Sequence, residues 1–150
     1  MKRTNVVLVL LDDYGWKDST CYGSTFYETP NLDKLASQGM RFTNGYASCP
    51  VCSPTRASML TGKYPARLGV TNFINHGGGH PNTGRIIDVP YTKHLPREEY
   101  NLAKCLKDNG YQTWHVGKWH LGLEPYWPDK QGFDVNVAGC QMGHPWKGYF

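Results

Sequence analysis

The sequence predicts an α/β fold: a mostly parallel sheet flanked by helices. One observation is the run of aliphatic residues at 6–11, whose composition is typical of a strand buried on both faces. Another is the order strand, helix, strand, helix, strand along the chain, which is typical of α/β proteins. Three strands make a poor sheet by themselves, and residues 121–150 add no closing element. The predicted domain is therefore incomplete.

Proline and glycine mark the ends of three predicted helices, at 29–38, 53–60 and 97–109. A cap residue and a first-turn proline open the first two, and a glycine follows each of the three. The opening pairs are Thr29-Pro30 and Ser53-Pro54, and the terminating glycines are Gly39, Gly62 and Gly110. The third helix is expected to present one apolar face, formed by Leu102, Cys105 and Leu106.

Two further strands are predicted at Arg41–Ala47 and Tyr111–Val116. Residues 63–96 are rich in glycine, proline, histidine and asparagine and indicate an extended surface excursion. From Gly117 onward the pattern indicates loops dense in aromatic residues. Four tryptophans there and nearby suit either sugar stacking or the core, and core is the commoner role: Trp114, Trp119, Trp127 and Trp146.

The charge balance excludes some partners. A net charge of +4 without a dense Lys/Arg stretch is too mild for nucleic-acid binding, although it suits either an anionic substrate or simple solubility. No apolar stretch is long enough to span a membrane, so no membrane partner is expected. Five cysteines cannot all pair, and their spacing does not resemble a disulfide scaffold.

The N-terminus imitates a secretory signal without matching one. Met1-Lys2-Arg3 precedes an apolar run of only six residues, which ends in Asp12-Asp13 and has no small-residue cleavage site. We therefore interpret the run as a strand. The chain is expected to be cytoplasmic as it stands, or periplasmic or secreted if a signal peptide was removed.

Asp12 and Asp13 follow the first predicted strand directly. Open α/β sheets place their ligands at the carboxyl ends of parallel strands, and paired carboxylates there could hold Ca²⁺ or Mg²⁺. The alternative is a polar turn that ends the strand and caps a helix.

The segment Cys52-Ser53-Pro54-Thr55-Arg56 carries the strongest chemical signal. Cys52 lies just ahead of a predicted helix start, where free N–H groups and the helix dipole favour negative charge. Arg56, one turn into the helix, can direct its guanidinium towards an anion. Cys52 is therefore a candidate nucleophile, against the alternative of a buried structural cysteine.

These residues resemble the signature of the sulfatases, Cys-x-Pro-x-Arg followed by Thr61-Gly62. Two more segments are similar to motifs of that family: Asp12-Asp13, and Gly117-Lys118-Trp119-His120-Leu121-Gly122. The run from Tyr27 to Asp33 is similar to the family's first helix. The matches occur in the expected order over nearly the whole chain, so the fold is expected to be that of the alkaline phosphatase superfamily.

The resemblance implies a sulfuric ester hydrolase whose substrate is a sulfate ester, expected to be a sulfated carbohydrate. A formylglycine-generating enzyme would convert Cys52 to Cα-formylglycine, which hydrates to a geminal diol and attacks sulfur. Asp12, Asp13 and residue 52 would bind Ca²⁺ or Mg²⁺. Arg56 would polarise the nucleophile, Lys118 would address the sulfate oxygens, and His120 would receive a proton.

The sequence departs from the family pattern in two ways. Thr55 stands where the family more often has Ser or Ala. The chain is also much shorter than a sulfatase, so only the first half of the implied site is present. Residues 1–150 are then the N-terminal part of a sulfatase catalytic domain, and this part alone is expected to be inactive.

Alternative functions remain at this point. The same motif occurs in phosphonate and phosphodiester hydrolases of the superfamily, and the chain could also be an inert fragment. Cys49, Cys52, His76 and His80 imitate a zinc site, but the 23 residues between Cys52 and His76 exceed the usual spacing. The glycines at 77–79 cannot form the helix that such a site needs, and they lack the Lys-Ser/Thr of a phosphate-binding loop.

Overall fold

A computed structural model describes residues 3–76 and 89–145. The chain divides into two compact units, Met1–Tyr46 and Ala47–Phe150. The helices are α1 (Pro30–Gln38), α2 (Cys52–Thr61), α3 (Pro65–Leu68) and α4 (Leu102–Asp108), and the strands are β1 (Trp114–Val116) and β2 (Val135–Val137). Short 3₁₀ helices lie at Thr20–Tyr22, Glu124–Tyr126 and Pro128–Lys130. Within the described ranges no helix has the length and hydrophobicity needed to cross a membrane.

In the first unit, α1 confirms the helix that the sequence predicts at this position. It begins at Pro30 and is followed by Gly39. Thr29 occupies the N-cap position, but its side chain does not cap the helix. Its hydroxyl instead lies 2.6 Å from the hydroxyl of Thr20 and accepts the Thr20 N–H at 2.9 Å. Thr29 thus ties the start of α1 to the preceding 3₁₀ helix.

The predicted strands at 6–11 and 41–47 are wrong for the described residues, which form neither helix nor strand there. Val7 is 84% exposed and Phe42 is 68% exposed, so the apolar side chains of these runs lack the predicted burial. A parallel strand requires a neighbouring strand for its N–H and C=O groups, and the described sheet contains only β1 and β2. Composition alone could not supply those partners.

The core of the second unit draws on segments that the sequence pattern assigned to the surface. Leu68, Val70, Ile74 and Leu95 belong to residues 63–96, yet each is at most 5% exposed. They pack with α2 and the Gly117–Gly122 segment in one cluster, completed by Ala57, Leu60, Trp119 and Leu121. The expected surface excursion is therefore wrong for these positions, because apolar residues spaced widely among glycines and prolines give no periodic signal. Residues 77–88 lie outside the described ranges.

The helix predicted at 97–109 is shorter than expected. α4 begins at Leu102, where the Asn101 side chain caps it by accepting the Lys104 N–H at 3.1 Å. The expected apolar face is also shifted, because the buried residue of α4 is Ala103, at 1% exposed, whereas Leu102 is 36% exposed. Gly110 follows the helix with φ 75°, which confirms its role in ending it.

The sheet confirms the predicted parallel α/β class. β1 pairs in parallel with β2, with Trp114 opposite Val135 and Val116 opposite Val137. The predicted third strand is thus present in part, at 114–116, whereas β2 lies where only loops were expected. The Gly117 N–H continues the ladder to the Val137 carbonyl at 2.8 Å. The Gly117–Gly122 motif therefore starts at the carboxyl end of β1, where α/β folds place ligand sites.

The tryptophans divide between core and surface. Trp119 is 1% exposed, and its Nε1 donates to the Tyr126 carbonyl at 2.9 Å. Trp127 is partly buried against the same core, whereas Trp114 is 61% exposed. Core packing is therefore the role of Trp119 and Trp127. Trp146 lies outside the described residues.

Candidate active site

The N-terminus of α2 carries the cysteine of the motif. Cys52 is the first residue of the helix rather than the residue ahead of it, and Val51 precedes it in an extended conformation without a side-chain cap. The Cys52 thiol is free and half-buried. The N–H groups of a first helical turn and the helix dipole favour negative charge. Position 52 therefore lies at the electropositive end of a helix.

Thr55 secures the loop that leads into α2. Its hydroxyl donates to the Cys49 carbonyl at 2.6 Å, across the residues that precede the helix. A serine at position 55 would keep this bond and an alanine would lose it. The departure from the family pattern at this position is thus compatible with a well-held Cys52.

Arg56 joins α2 to the second motif. The residue is 8% exposed, and its Nη1 donates to the Lys118 carbonyl at 2.6 Å. Because Pro54 and Arg56 both lie on the buried side of α2, the guanidinium passes inward rather than into solvent. The sequence predicts that Arg56 turns its guanidinium towards an anion from one turn into the helix, and that role stays a prediction.

His120 is held on three sides. It is 6% exposed, its Nε2 lies 2.7 Å from the Ile74 carbonyl, and its own carbonyl accepts the Ser53 hydroxyl at 2.9 Å. Its backbone has φ 59°, an unusual conformation outside glycine, and its N–H donates to the Cys140 carbonyl at 3.0 Å. A Cβ added at Gly143 would lie 2.6 Å from His120 Cε1, so only glycine leaves room for the ring. The imidazole is therefore fixed in place.

The electrostatics of this cluster are positive. Burial lowers the pKa of His120, and the charges of Lys118, Arg56 and His76 lower it further. Burial is also the main cause that lowers the pKa of His115, with a smaller effect from Arg56. Both imidazoles are thus biased towards the neutral form, beside the basic residues Arg56 and Lys118. The arrangement suits an anionic ligand.

The lowered histidine pKa values predict a pH dependence of stability. The unfolded chain binds protons near the ordinary histidine pKa of about 6.5, whereas folded His115 and His120 bind them only at lower pH. The free energy of unfolding is therefore at its full value above about pH 6.5. It falls on acidification, by at most about 1.4 kcal/mol per pH unit for each histidine that binds a proton on unfolding. Urea unfolding between about pH 5 and 8 would measure this. His115→Gln should reduce the slope, and an unchanged slope would contradict the assignment.

Asp12 and Asp13 lie in the first unit, in a turn that follows residues 6–11. Both are exposed, and Asp13 has φ 52°, the left-handed conformation that aspartate tolerates better than most residues. The described ranges contain no group of three or more His, Cys, Asp or Glu side chains arranged to hold a metal. The two carboxylates are thus of the right chemical type for a hard cation, but too few to complete its shell.

Sequence reasoning missed part of the site. Ile74 contributes only its backbone, to Ser53 and to His120, and no sequence pattern identifies such a role. His115 packs edge-on against Trp119, with ring centroids 5.1 Å apart, and its Nε2 lies 3.1 Å from the Gly117 carbonyl. A histidine two residues before Gly117 was a signal that could have drawn attention.

Comparisons with known proteins agree with the family resemblance. The family model Sulfatase matches residues 4–142. The chain is 42% identical over 121 residues to human steryl-sulfatase, covering 81% of this chain and 20% of that protein. It is also 42% identical over 142 residues to human N-acetylgalactosamine-6-sulfatase, covering 93% of this chain and 26% of the relative. The chain thus spans about a quarter or less of the length of these relatives.

Solved structures give the same result for the fold. Ps i-CgsB matches with a TM-score of 0.70 and 33% identity, over 85% of this chain and 26% of that one. BT4656, solved in complex with its substrate D-glucosamine-2-N,6-O-disulfate, matches with a TM-score of 0.67 and 33% identity, over 89% of this chain and 22% of that one. These likenesses confirm the predicted fold class. With a family model covering nearly all of its residues, the chain belongs to the sulfatase family.

Proposed function

We propose that the full-length protein containing this chain hydrolyses sulfate esters, with position 52 as the nucleophile. The observation that carries the proposal is the pair of bonds between α2 and the Gly117–Gly122 segment. Arg56 donates to the Lys118 carbonyl and Ser53 to the His120 carbonyl, at 2.6 and 2.9 Å. These two bonds hold α2, which carries Cys52 and Arg56, against the segment that carries Lys118. The cysteine and the two basic residues thereby belong to one positively charged cluster. In this proposal residues 1–150 form the N-terminal part of the catalytic domain.

The proposed nucleophile is Cα-formylglycine, made from Cys52 by a formylglycine-generating enzyme. When hydrated, this group supplies one hydroxyl to attack sulfur and a second whose deprotonation releases sulfate. Cys52 suits the modification because its thiol is half-buried and is not engaged in a disulfide. Its place at the start of α2 adds the favourable field of the helix N-terminus.

The proposed metal is Ca²⁺ or Mg²⁺, held by Asp12 and Asp13 together with residue 52. Carboxylate oxygens are the donors that hard cations prefer, and such a cation would supply positive charge next to the sulfate oxygens. Ca²⁺ takes about six to eight oxygen ligands, so the two aspartates account for part of the shell.

The basic residues have separate proposed roles. Arg56, fixed through its bond to the Lys118 carbonyl, holds positive charge beside residue 52. The Lys118 ammonium stabilises the sulfuryl oxygens as charge develops on them. His120 accepts a proton in the reaction, for which its lowered pKa keeps it in the neutral, proton-accepting form near neutral pH.

The proposed substrate class is sulfated carbohydrate. N-acetylgalactosamine-6-sulfatase is named for a sulfated sugar, and BT4656 was solved with a disulfated glucosamine. Steryl-sulfatase, at equal identity, is named for a different class of ester. The carbohydrate proposal therefore depends on the solved structure and the sugar sulfatases together.

Parallel assays of an aryl sulfate and an aryl phosphate diester with the full-length protein test the activity. We expect the larger kcat/KM for the sulfate, because the chain belongs to the sulfatase family and the two esters carry the same single charge. A preference for the diester would instead support the phosphodiesterase alternative. Calorimetry of the 150-residue chain with Ca²⁺ addresses the remaining alternative, an inert fragment. Micromolar binding would argue against it.

A further inference from the structure

Three residues that are distant in sequence close a ring of hydrogen bonds at the start of α2. Ser53 Oγ donates to the His120 carbonyl at 2.9 Å, and the Ile74 N–H donates to Ser53 Oγ at 2.9 Å. His120 Nε2 lies 2.7 Å from the Ile74 carbonyl, which completes the ring. Ser53 is fully buried, and Ile74 and His120 are 2% and 6% exposed. Water therefore does not compete for these bonds.

The direction of each bond is fixed by chemistry. A carbonyl oxygen only accepts, so His120 Nε2 must be the nitrogen that carries the proton in its bond to Ile74. The same reasoning makes the Ser53 hydroxyl a donor to the His120 carbonyl, which leaves its lone pairs to accept the Ile74 N–H. In neutral His120 the unprotonated nitrogen is then Nδ1.

Nδ1 of His120 is buried and has no hydrogen-bond partner among the described residues. A buried polar atom without a partner is costly, so this nitrogen needs an explanation, and a catalytic role is one of those known for such atoms. Gly143 packs against the same ring, since a Cβ there would lie 3.0 Å from Nδ1. No bulkier side chain blocks that nitrogen from this position.

We propose that Ser53 is a positioning residue, which closes the ring and thereby holds His120 as the Nε2–H tautomer with Nδ1 as the accepting nitrogen. The Ile74 N–H donates to Ser53, and the carbonyl of the same residue accepts the imidazole N–H of His120. Ser53 therefore orients the backbone on which the imidazole is held. Without the hydroxyl, the Ile74 N–H loses its acceptor and the His120 carbonyl loses its donor. The segment at 74 and the left-handed backbone of His120 are then free to shift. The catalytic consequence rests on the proposed function, whereas the tautomer does not.

The test compares wild type with Ser53→Ala in the full-length protein by ¹⁵N NMR of labelled histidine rings, with His120 assigned from a His120→Gln sample. Wild type should show His120 as a single Nε2–H tautomer, and Ser53→Ala should show a mixture. The variant's kcat should fall by about 10–100-fold, as for other partners that orient a reactive group, with KM changed less. Activity is normalised to the fraction of position 52 that peptide mass spectrometry finds matured.

Ser58→Ala is the matched control. It removes the same hydroxyl from the same helix, but Ser58 Oγ is buried without a hydrogen-bond partner in the described structure. This variant should keep both the tautomer and kcat. An Nδ1–H tautomer in wild type, or a single Nε2–H tautomer with unchanged kcat in Ser53→Ala, would overturn the proposal whatever the melting temperature. If wild type hydrolyses no sulfate ester, the proposed function fails, while the tautomer spectra still decide the role of Ser53.

Discussion

Replacing Cys52 with alanine in the full-length protein is expected to lower kcat/KM for sulfate esters by more than about 10³-fold. Alanine cannot be converted to an aldehyde, so neither of the two hydroxyls on which the proposed mechanism depends can form. Folding should change little, because the half-buried thiol has no disulfide to lose. Steady-state assays and urea unfolding of the same preparations measure both effects.

Cys49→Ala is the control for this variant. Cys49 is also free and half-buried, and its only bond to Thr55 uses the backbone carbonyl, which the substitution keeps. It should retain activity close to wild type. Substantial turnover by Cys52→Ala would remove the proposed mechanism, whereas equal losses in both variants would indicate damage to the loop rather than loss of a nucleophile.

Replacing Lys118 with alanine is expected to lower kcat/KM by about 10²–10³-fold, the range for loss of one group that stabilises charge in the transition state. The free energy of unfolding should fall by no more than about 1 kcal/mol, since a half-buried lysine contributes little to stability. The bond from Arg56 uses the Lys118 carbonyl and survives the substitution. Kinetics and chemical denaturation together separate the two effects.

Lys130→Ala controls for the loss of a positive charge from the same unit. Its ammonium pairs with the adjacent Asp129 at 2.7 Å, on the surface. Its kcat/KM should match wild type. A large loss of stability in Lys118→Ala with unchanged kinetics would make Lys118 a structural residue instead.

The helices could be predicted from the sequence because their signals are local. Pro30 and Gly39 bracket α1, and Gly62, with φ 68°, ends α2 where the pattern expects it. Strands failed where their evidence was composition alone, as at residues 6–11, because pairing depends on residues far along the chain. β2 was missed for the same reason: its three residues carry no periodic signal, and its register comes from β1.

The candidate site divides in the same way, between side chains that local motifs indicate and long-range contacts that they do not. The side chains of Arg56 and His120 were predicted from motifs, and the structure joins their segments. Most of the bonds that make the connection join a side chain to a backbone group: the Ser53 hydroxyl donates to the His120 carbonyl, and the Ile74 N–H donates to the Ser53 hydroxyl. Backbone N–H and C=O groups are the same in almost every residue, so a sequence motif does not indicate which of them will form such a bond.

Two hydrogen bonds anchor the residues on either side of 75–94, at Ile74 and at Leu95. Ile74 is tethered to His120, and at the other end the Leu95 N–H donates to the Leu121 carbonyl at 3.0 Å. Both tethers end on neighbouring residues, His120 and Leu121, so the two segments share one short stretch of backbone as their anchor. A substitution that shifts the backbone at 120–121 is therefore expected to displace both segments together, rather than either one alone.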